Sequence, residues 1–205
     1  MFRKLYLSPF GLIISLILNF IALIKKPFMV YGFYNRKTKK FFKKTRISSS
    51  TVLINKNNID IADNVWIGHY CVLDGIGGIK IGKGVQIASH SCVYTHSSQN
   101  AIRMMGDKYI DIPAEYREGY IIKNVEIGDF TFIGTSSIIL PGTIIGKACL
   151  IGAGSVVNGY FPDFSVIVGN PAIIKGDTRN IDKRLIINIK NKENYYNPEF
   201  LKNKA

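Results

Sequence analysis

Between Ile127 and Val157 the chain places a branched aliphatic residue at every sixth position: Ile127, Ile133, Ile139, Ile145, Ile151 and Val157, with Ile121 six residues before the first. Glycine follows directly at 128, 134, 146 and 152. In an α-helix, positions six apart point in very different directions, and in a flat strand the two faces alternate with a period of two. A period of six needs a chain that turns a corner every six residues, as a triangular solenoid does. Each side is a short strand, and three sides make a coil. Coils then stack as parallel strands, with the repeat residue pointing into the prism. The residue four positions on also points inward. These are Thr131, Ser137, Thr143, Cys149 and Ser155, with Val125 in the preceding repeat, all small or β-branched as a narrow interior requires. The glycines are expected to supply the backbone angles of the corners.

The same series runs earlier in the chain. Ile61, Ile67 and Leu73 are spaced by six, as are Ile81, Ile87 and Val93, and the eight-residue step between them puts a two-residue insertion in LDGIGGIK. From Thr95 to about Tyr120 the period disappears, which predicts an excursion over 97–120 that leaves the prism. Structureless segments of that length in a compact domain are usually functional or disordered. A buried β-sandwich would not hold its phase over seven repeats. The fold class read from the pattern is therefore all-β, a parallel β-helix.

Composition matters mainly through its distribution. The 205 residues carry a net charge of +13, which alone would suggest a nucleic-acid partner. Yet residues 1–46 hold eleven Lys and Arg and no acid, while the remainder holds sixteen against fourteen. The repeat region is nearly neutral, so the basicity belongs to an N-terminal device beside an apolar segment, and the nucleic-acid reading falls. Ser8 with Pro9 predicts a helix start, and a helix from Pro9 to Ile24 would be about 24 Å long, short of a bilayer core of about 30 Å. Lys25, Lys26, Arg36, Lys37, Lys39 and Lys40 lead the basic cluster that follows. Three readings stand: membrane contact through residues 5–46 at the inner face of the cytoplasmic membrane, a soluble helix covering an open end of the prism, or a cleaved signal peptide. The chain divides into 1–46, a repeat domain over 47–169, and a polar tail over 170–205. Cys71, Cys92 and Cys149 follow neither a disulfide nor a metal-binding spacing, so no metal is expected.

Three stretches carry a family resemblance: IGDFTFIGTSSIILPGTIIGKACLIGAGSVV, FPDFSVIVGNPAIIKG and LDGIGGIKIGKGVQIASHSCVYTHS. Together they resemble the hexapeptide-repeat acyltransferases, and within them the branch of galactoside, maltose and streptogramin acetyltransferases and the capsule and lipopolysaccharide O-acetyltransferases. The resemblance implies a left-handed β-helix, acetyl-CoA as co-substrate, and a homotrimer with each active site between two prisms. It also implies a histidine general base where an excursion begins, the place held here by His96. An imidazole suits that role because its pKa lies near working pH. The CoA contacts of the family fall on Thr135, Ala153, Asn158 and Lys175. The family's usual Thr-Lys after SVV is Asn158-Gly159 here, which removes one cation near the CoA phosphates, and Lys175 or Lys147 are the substitutes in reach. His90 and Asp74 are candidate flanks of the site. Asp74 can bond its own turn or orient His96, and His69 sits at a corner.

The leading function is acetyl-CoA-dependent O-acetylation of a surface polysaccharide or its precursor, which a membrane-side location would serve. N-acetylation of a nucleotide-linked amino sugar uses the same fold and donor. A zinc carbonic anhydrase on this prism would need three histidines around one metal, and the spacings of His69, His90 and His96 do not resemble that arrangement. A non-catalytic scaffold would not need an excursion placed just after His96.

Overall fold

A computed structural model describes residues 8–188 and 190–202; the part of the apolar segment before residue 8 lies outside them. The repeats form a prism of three parallel sheets. The first side stacks Lys40–Ser48, Trp66–Ile67, Gln86–Ile87, Phe132–Ile133, Leu150–Ile151 and Ser165–Gly169. The second stacks Val52–Ile54, Val72–Asp74, Cys92–Val93, Ile138–Ile139 and Val156–Val157. The third stacks Ile59–Ile61, Ile79–Ile81, Val125–Ile127, Ile144–Ile145 and Tyr160–Phe161. The chain visits the sides in that order five times, so each coil lies on the last in strict register, as in Ile133 opposite Ile87 and Ile151.

The repeat residues fill the interior. Ile67, Leu73, Ile87, Ile133, Ile139 and Ile151 are fully buried. Burying one such side chain is worth about 1.5–3 kcal/mol, and the stack repeats that gain in every coil. The small residues four positions on are buried too, and their hydroxyls are paired. Thr131 Oγ1 donates to the Gly146 carbonyl at 2.9 Å, Ser137 Oγ to Gly152 at 3.1 Å and Thr143 Oγ1 to Leu140 at 2.7 Å. A buried hydroxyl left unpaired would cost more than it returns. Burial raises the Cys71 and Cys149 thiols above their usual range.

The glycines have a different role from the one expected of them. Gly128, Gly134, Gly146 and Gly152 do not adopt positive φ. The first three sit where one coil meets the backbone of the next, and Gly152 lies against the Val168 side chain. A Cβ on Gly134 would come within 2.8 Å of the Ile151 carbonyl oxygen, and one on Gly128 would overlap the Gly146–Lys147 peptide. The left-handed corner falls two residues later and is mostly filled by other types: Asn64, Tyr70, His90, Phe130, Ser136 and Ala148. At the corner between the third and first sides, aspartates bind the preceding coil. The backbone N–H groups of Lys44, Lys83 and Lys147 donate to Asp63, Asp129 and Asp163 at 3.2, 2.7 and 2.9 Å.

Ile121 is not a prism position. It pairs with Ser97 in a short antiparallel ladder at the base of the excursion, because the chain has not yet rejoined the third side; the inward series resumes at Val125. Both ends of the prism close with a hairpin. Met29–Asn35 pairs antiparallel with Lys40–Ser48, so the boundary expected at 46/47 falls inside a strand. Ala172–Asp177 pairs with Ser165–Gly169, which carries the first side past residue 169. A helix over Gly11–Ile24 precedes the first hairpin, starting two residues after Pro9, and Ser8 Oγ accepts from the Phe10 N–H at 3.3 Å. The tail opens with a helix over Thr178–Leu185, whose N-cap Asp177 accepts from the Arg179 N–H at 2.8 Å. The guanidinium of Arg179 holds the Asp177 carboxyl below the usual range. The tail then folds back over the first side, where Phe132 and Leu150 line a cavity with Ile181 and Tyr196.

Gly134→Ala is expected to cost roughly 1–3 kcal/mol, because the neighbouring coil has to move. Ser136→Gly, at a positive φ, should leave stability within about 0.5 kcal/mol, since relief of backbone strain offsets the added chain entropy. Urea unfolding of both variants checks the division of roles; a more damaging Ser136→Gly would reverse it.

Candidate active site

His96 ends the second side of the third coil, where an ordinary coil would turn directly onto the third side. The turn is replaced by the excursion, and Thr95 holds its two ends together. The Thr95 side chain is fully buried. Its Oγ1 donates to the Asp74 carbonyl at 2.6 Å and accepts from the Gly77 N–H at 2.7 Å. Its own carbonyl accepts from the Lys123 N–H at 2.9 Å as the chain returns. A Cβ on Gly77 would lie 2.8 Å from both the Thr95 and Lys123 carbonyl oxygens, so this close approach requires glycine. His96 then pairs with Ile122 in the antiparallel ladder, which fixes its backbone.

The imidazole is 28% exposed and lies against Asp74, whose carboxylate is 2% exposed. Asp74 Oδ2 is 2.7 Å from His96 Nδ1, although no well-aligned hydrogen bond is made there. Asp74 Oδ1 accepts from the Ile76 N–H at 3.1 Å. One oxygen of Asp74 thus holds its own turn and the other faces the histidine. A carboxylate at Nδ1 favours the tautomer with its proton on that nitrogen, leaving the Nε2 lone pair free to accept one. Tyr120 comes from the returning limb of the excursion, and its ring centroid is 5.8 Å from that of His96. Burial, then the neighbouring Tyr109, raises its phenol above the usual range. Burial, then Cys92, does the same to Tyr94, so both phenols stay protonated at neutral pH. Arg117 stacks on Tyr109 at 4.0 Å and donates to the Ile112 carbonyl at 2.8 Å, which packs the excursion on itself.

The other sequence-selected residues lie elsewhere on the prism. His90, Thr135 and Ala153 occupy the corner between the first and second sides in three successive coils. His90 is exposed, at a φ of 64°, and its ring stacks on Tyr70 at 5.2 Å. Thr135 Oγ1 donates to the Ser89 carbonyl at 3.0 Å. Asn158 is on the His96 edge but two coils further along, and Lys175 is exposed on the closing hairpin. One chain thus unites His96 with Asp74 and leaves the rest apart. Among the described residues, no group of three or more His, Cys, Asp or Glu is placed to hold a metal ion. Thr95, Gly77 and Tyr120 were not selected from the sequence. The two-residue insertion in LDGIGGIK was the available signal, since the widened corner is what receives Thr95.

The family described as bacterial transferase hexapeptide (six repeats) matches residues 124–159. An Escherichia coli dTDP-4-amino-4,6-dideoxy-D-glucose acyltransferase is 32% identical over 146 residues, covering 62% of this chain and 76% of that protein. A protein of Escherichia coli K12, named provisionally for lipopolysaccharide biosynthesis O-acetyl transfer, is 34% identical over 116 residues, or 57% of this chain and 59% of that one. Among such curated relatives the chain spans from 23% to 76% of their length. Among solved structures, an N-acyltransferase from Bacillus cereus in complex with dTDP and 3-hydroxybutyryl-CoA aligns with a TM-score of 0.55 at 26% identity, over 78% of this chain and 88% of that one. Such neighbours imply that the coils wind left-handed.

Thr95→Val removes the acceptor of the half-buried Gly77 N–H and should cost about 1–3 kcal/mol. Hydrogen exchange is expected to quicken at Gly77 and Lys123 and stay unchanged in the fourth and fifth coils. Unaltered exchange at Gly77 would show that Thr95 does not close the excursion.

Proposed function

Since the chain belongs to the hexapeptide-repeat acyltransferases, we propose that it transfers an acetyl group from acetyl-CoA to a hydroxyl of a surface polysaccharide, such as a capsule or lipopolysaccharide, or of its precursor. The observation that carries this reading is the His96–Asp74 pair at the mouth of the excursion. When bound, acetyl-CoA supplies the thioester. His96 Nε2 takes the proton of the acceptor hydroxyl as the oxygen attacks the acetyl carbon, then returns it to the departing CoA thiolate. Asp74 holds the imidazole in the tautomer that can do this and stabilises its protonated form. The Escherichia coli relative named for lipopolysaccharide O-acetyl transfer supports the choice of acceptor.

The separation of His96 from Thr135 and Ala153 supports a homotrimer, in which the histidine edge of one prism meets the CoA-binding edge of another. The outer face of the second side, with Val52, Val72, Cys92, Ile138 and Val156, is apolar and incompletely buried, as a face meeting another prism would be. Small residues at Thr135 and Ala153 leave backbone groups accessible to a pantetheine arm, and Lys175 supplies a cation. N-acylation of a nucleotide-linked amino sugar is the second reading, favoured by the dTDP-sugar acyltransferase of which the match covers 76%.

His96→Ala should lower turnover at least about 100-fold. It should still bind acetyl-CoA, with a stabilisation of about 2.7 kcal/mol at 100 times the dissociation constant. Asp74→Asn is expected to reduce turnover at least about tenfold without changing KM for acetyl-CoA. Wild-type turnover in His96→Ala would remove His96 as the base. A His96→Ala chain that has also lost acetyl-CoA binding would assign the residue to the donor site instead.

A further inference from the structure

The helix Gly11–Ile24 turns one half of its circumference to solvent, and that half is wholly apolar. At about 100° per residue, Leu12, Ile13, Leu16, Ile17, Phe20 and Ile24 fall within a single arc of about 140°. These six are 55–72% exposed. The opposite half carries Gly11, which is buried, and Ile14 and Ser15, which are half-buried. A soluble protein rarely leaves so many large apolar side chains together in water. Only Lys25, Lys26, Pro27 and Phe28 separate this helix from the hairpin of the first coil, and the hairpin is exposed in a related way. Tyr34 and Phe41 are partners across its two strands and are 53% and 58% exposed. Arg36, Lys37, Lys39, Lys40, Lys43 and Lys44 surround them, all exposed. No acid occurs in the chain before Asp60.

We infer that the helix and the first hairpin together form one docking surface for an anionic lipid bilayer. The apolar arc lies in the acyl boundary of one leaflet, and the hairpin's aromatic and basic side chains lie among the headgroups. The helix is about 21 Å long, and among the described residues no helix is long and apolar enough to cross a membrane. It therefore lies along the surface, as amphipathic helices with large aliphatic faces do. The cations select the lipid: each Lys or Arg near an anionic surface strengthens binding about fivefold, and this attraction fades with salt. The aromatics suit the interface, where one end of the ring is apolar and the other wet.

Sedimentation of the full chain with vesicles tests it. Vesicles of phosphatidylcholine with about 30 mol% phosphatidylglycerol should bind the chain more tightly than phosphatidylcholine alone, and raising salt from about 0.1 to 0.5 M should weaken the difference. Changing Lys37, Lys40, Lys43 and Lys44 to Gln should lower partitioning by about 600-fold. Leu16→Glu with Phe20→Glu should abolish binding that survives high salt, with the thermal unfolding of the prism unchanged because both side chains are exposed. Equal binding to the two vesicle types would overturn the inference. So would full binding by either variant, or a chain that ignores vesicles and whose helix variant only falls to a smaller oligomer; that last result would make the arc a contact between copies of the chain.

Discussion

Stacked coils must approach to the spacing of hydrogen-bonded strands, about 4.8 Å, at their corners as well as along their sides. Along a side the approach is easy, because side chains point up or down from the sheet. At a corner the backbone bends, and any Cβ directed along the axis would strike the next coil. Gly128, Gly134 and Gly146 answer that constraint, each facing backbone atoms of the following coil. Once the backbones meet there, the inward stack of Ile133, Ile151 and their equivalents falls into register, and the hydroxyls of Thr131 and Ser137 reach carbonyls one coil away. The aspartates at the third–first corner add a side-chain link between coils at the place where the backbone ladder is interrupted.

The same constraint explains how the excursion is tolerated. Leaving the prism for some twenty-five residues would normally break the ladder between the third coil and its neighbours. It does not, because departure and return are tied to one buried threonine. Thr95 contacts the second coil through Asp74 and Gly77 and the returning chain through Lys123. His96, the next residue, therefore inherits a fixed backbone from the prism and a neighbouring ring, Tyr120, from the loop. Asp74 reaches it from the coil below, so the pair is assembled across two coils and depends on their spacing. A side chain held in this way starts from a rigid element of the scaffold.

Much of this was legible in the sequence, and the reasons differ by residue. The inward positions were readable because burial leaves few choices: a period of six in Ile and Val has no other geometric origin. His96 was selected because the family resemblance puts a histidine where an excursion begins, and the period stops beside it. Ile121 misled because it kept the spacing by coincidence while its neighbours had left the prism; Val125 and Ile127 carry the register that Ile121 only mimics. The glycines misled because sequence shows that a small residue is needed but not whether space or φ demands it. Here space demands it, and Tyr70, His90 and Phe130 accept the left-handed angles. Thr95 was hidden because its partners, Gly77 and Lys123, are eighteen and twenty-eight residues away and belong to no repeating pattern.

What the repeat leaves free is the outward half of each strand, and there the three sides diverge. The third side turns Asp60, Lys80 and Glu126 outward in its first three coils, with Lys80 exposed and the two carboxylates half-buried. The first side is covered at its far end, where the tail brings Ile181 and Tyr196 over Phe132 and Leu150, and Thr178 Oγ1 donates to the Ala148 carbonyl at 2.8 Å. The second side shows Val52, Val72, Cys92, Ile138 and Val156, an apolar strip that no part of the described chain fully buries. Its two edges carry His96 on one and Thr135 with Ala153 on the other. A narrow apolar strip between the His96 edge and the proposed CoA-binding edge cannot bring both to one substrate within a single prism, because the strip itself keeps them apart. Packing against a like surface removes the strip from water and sets unlike edges side by side, so the hydrophobic term that would drive assembly is the same one that would complete the site.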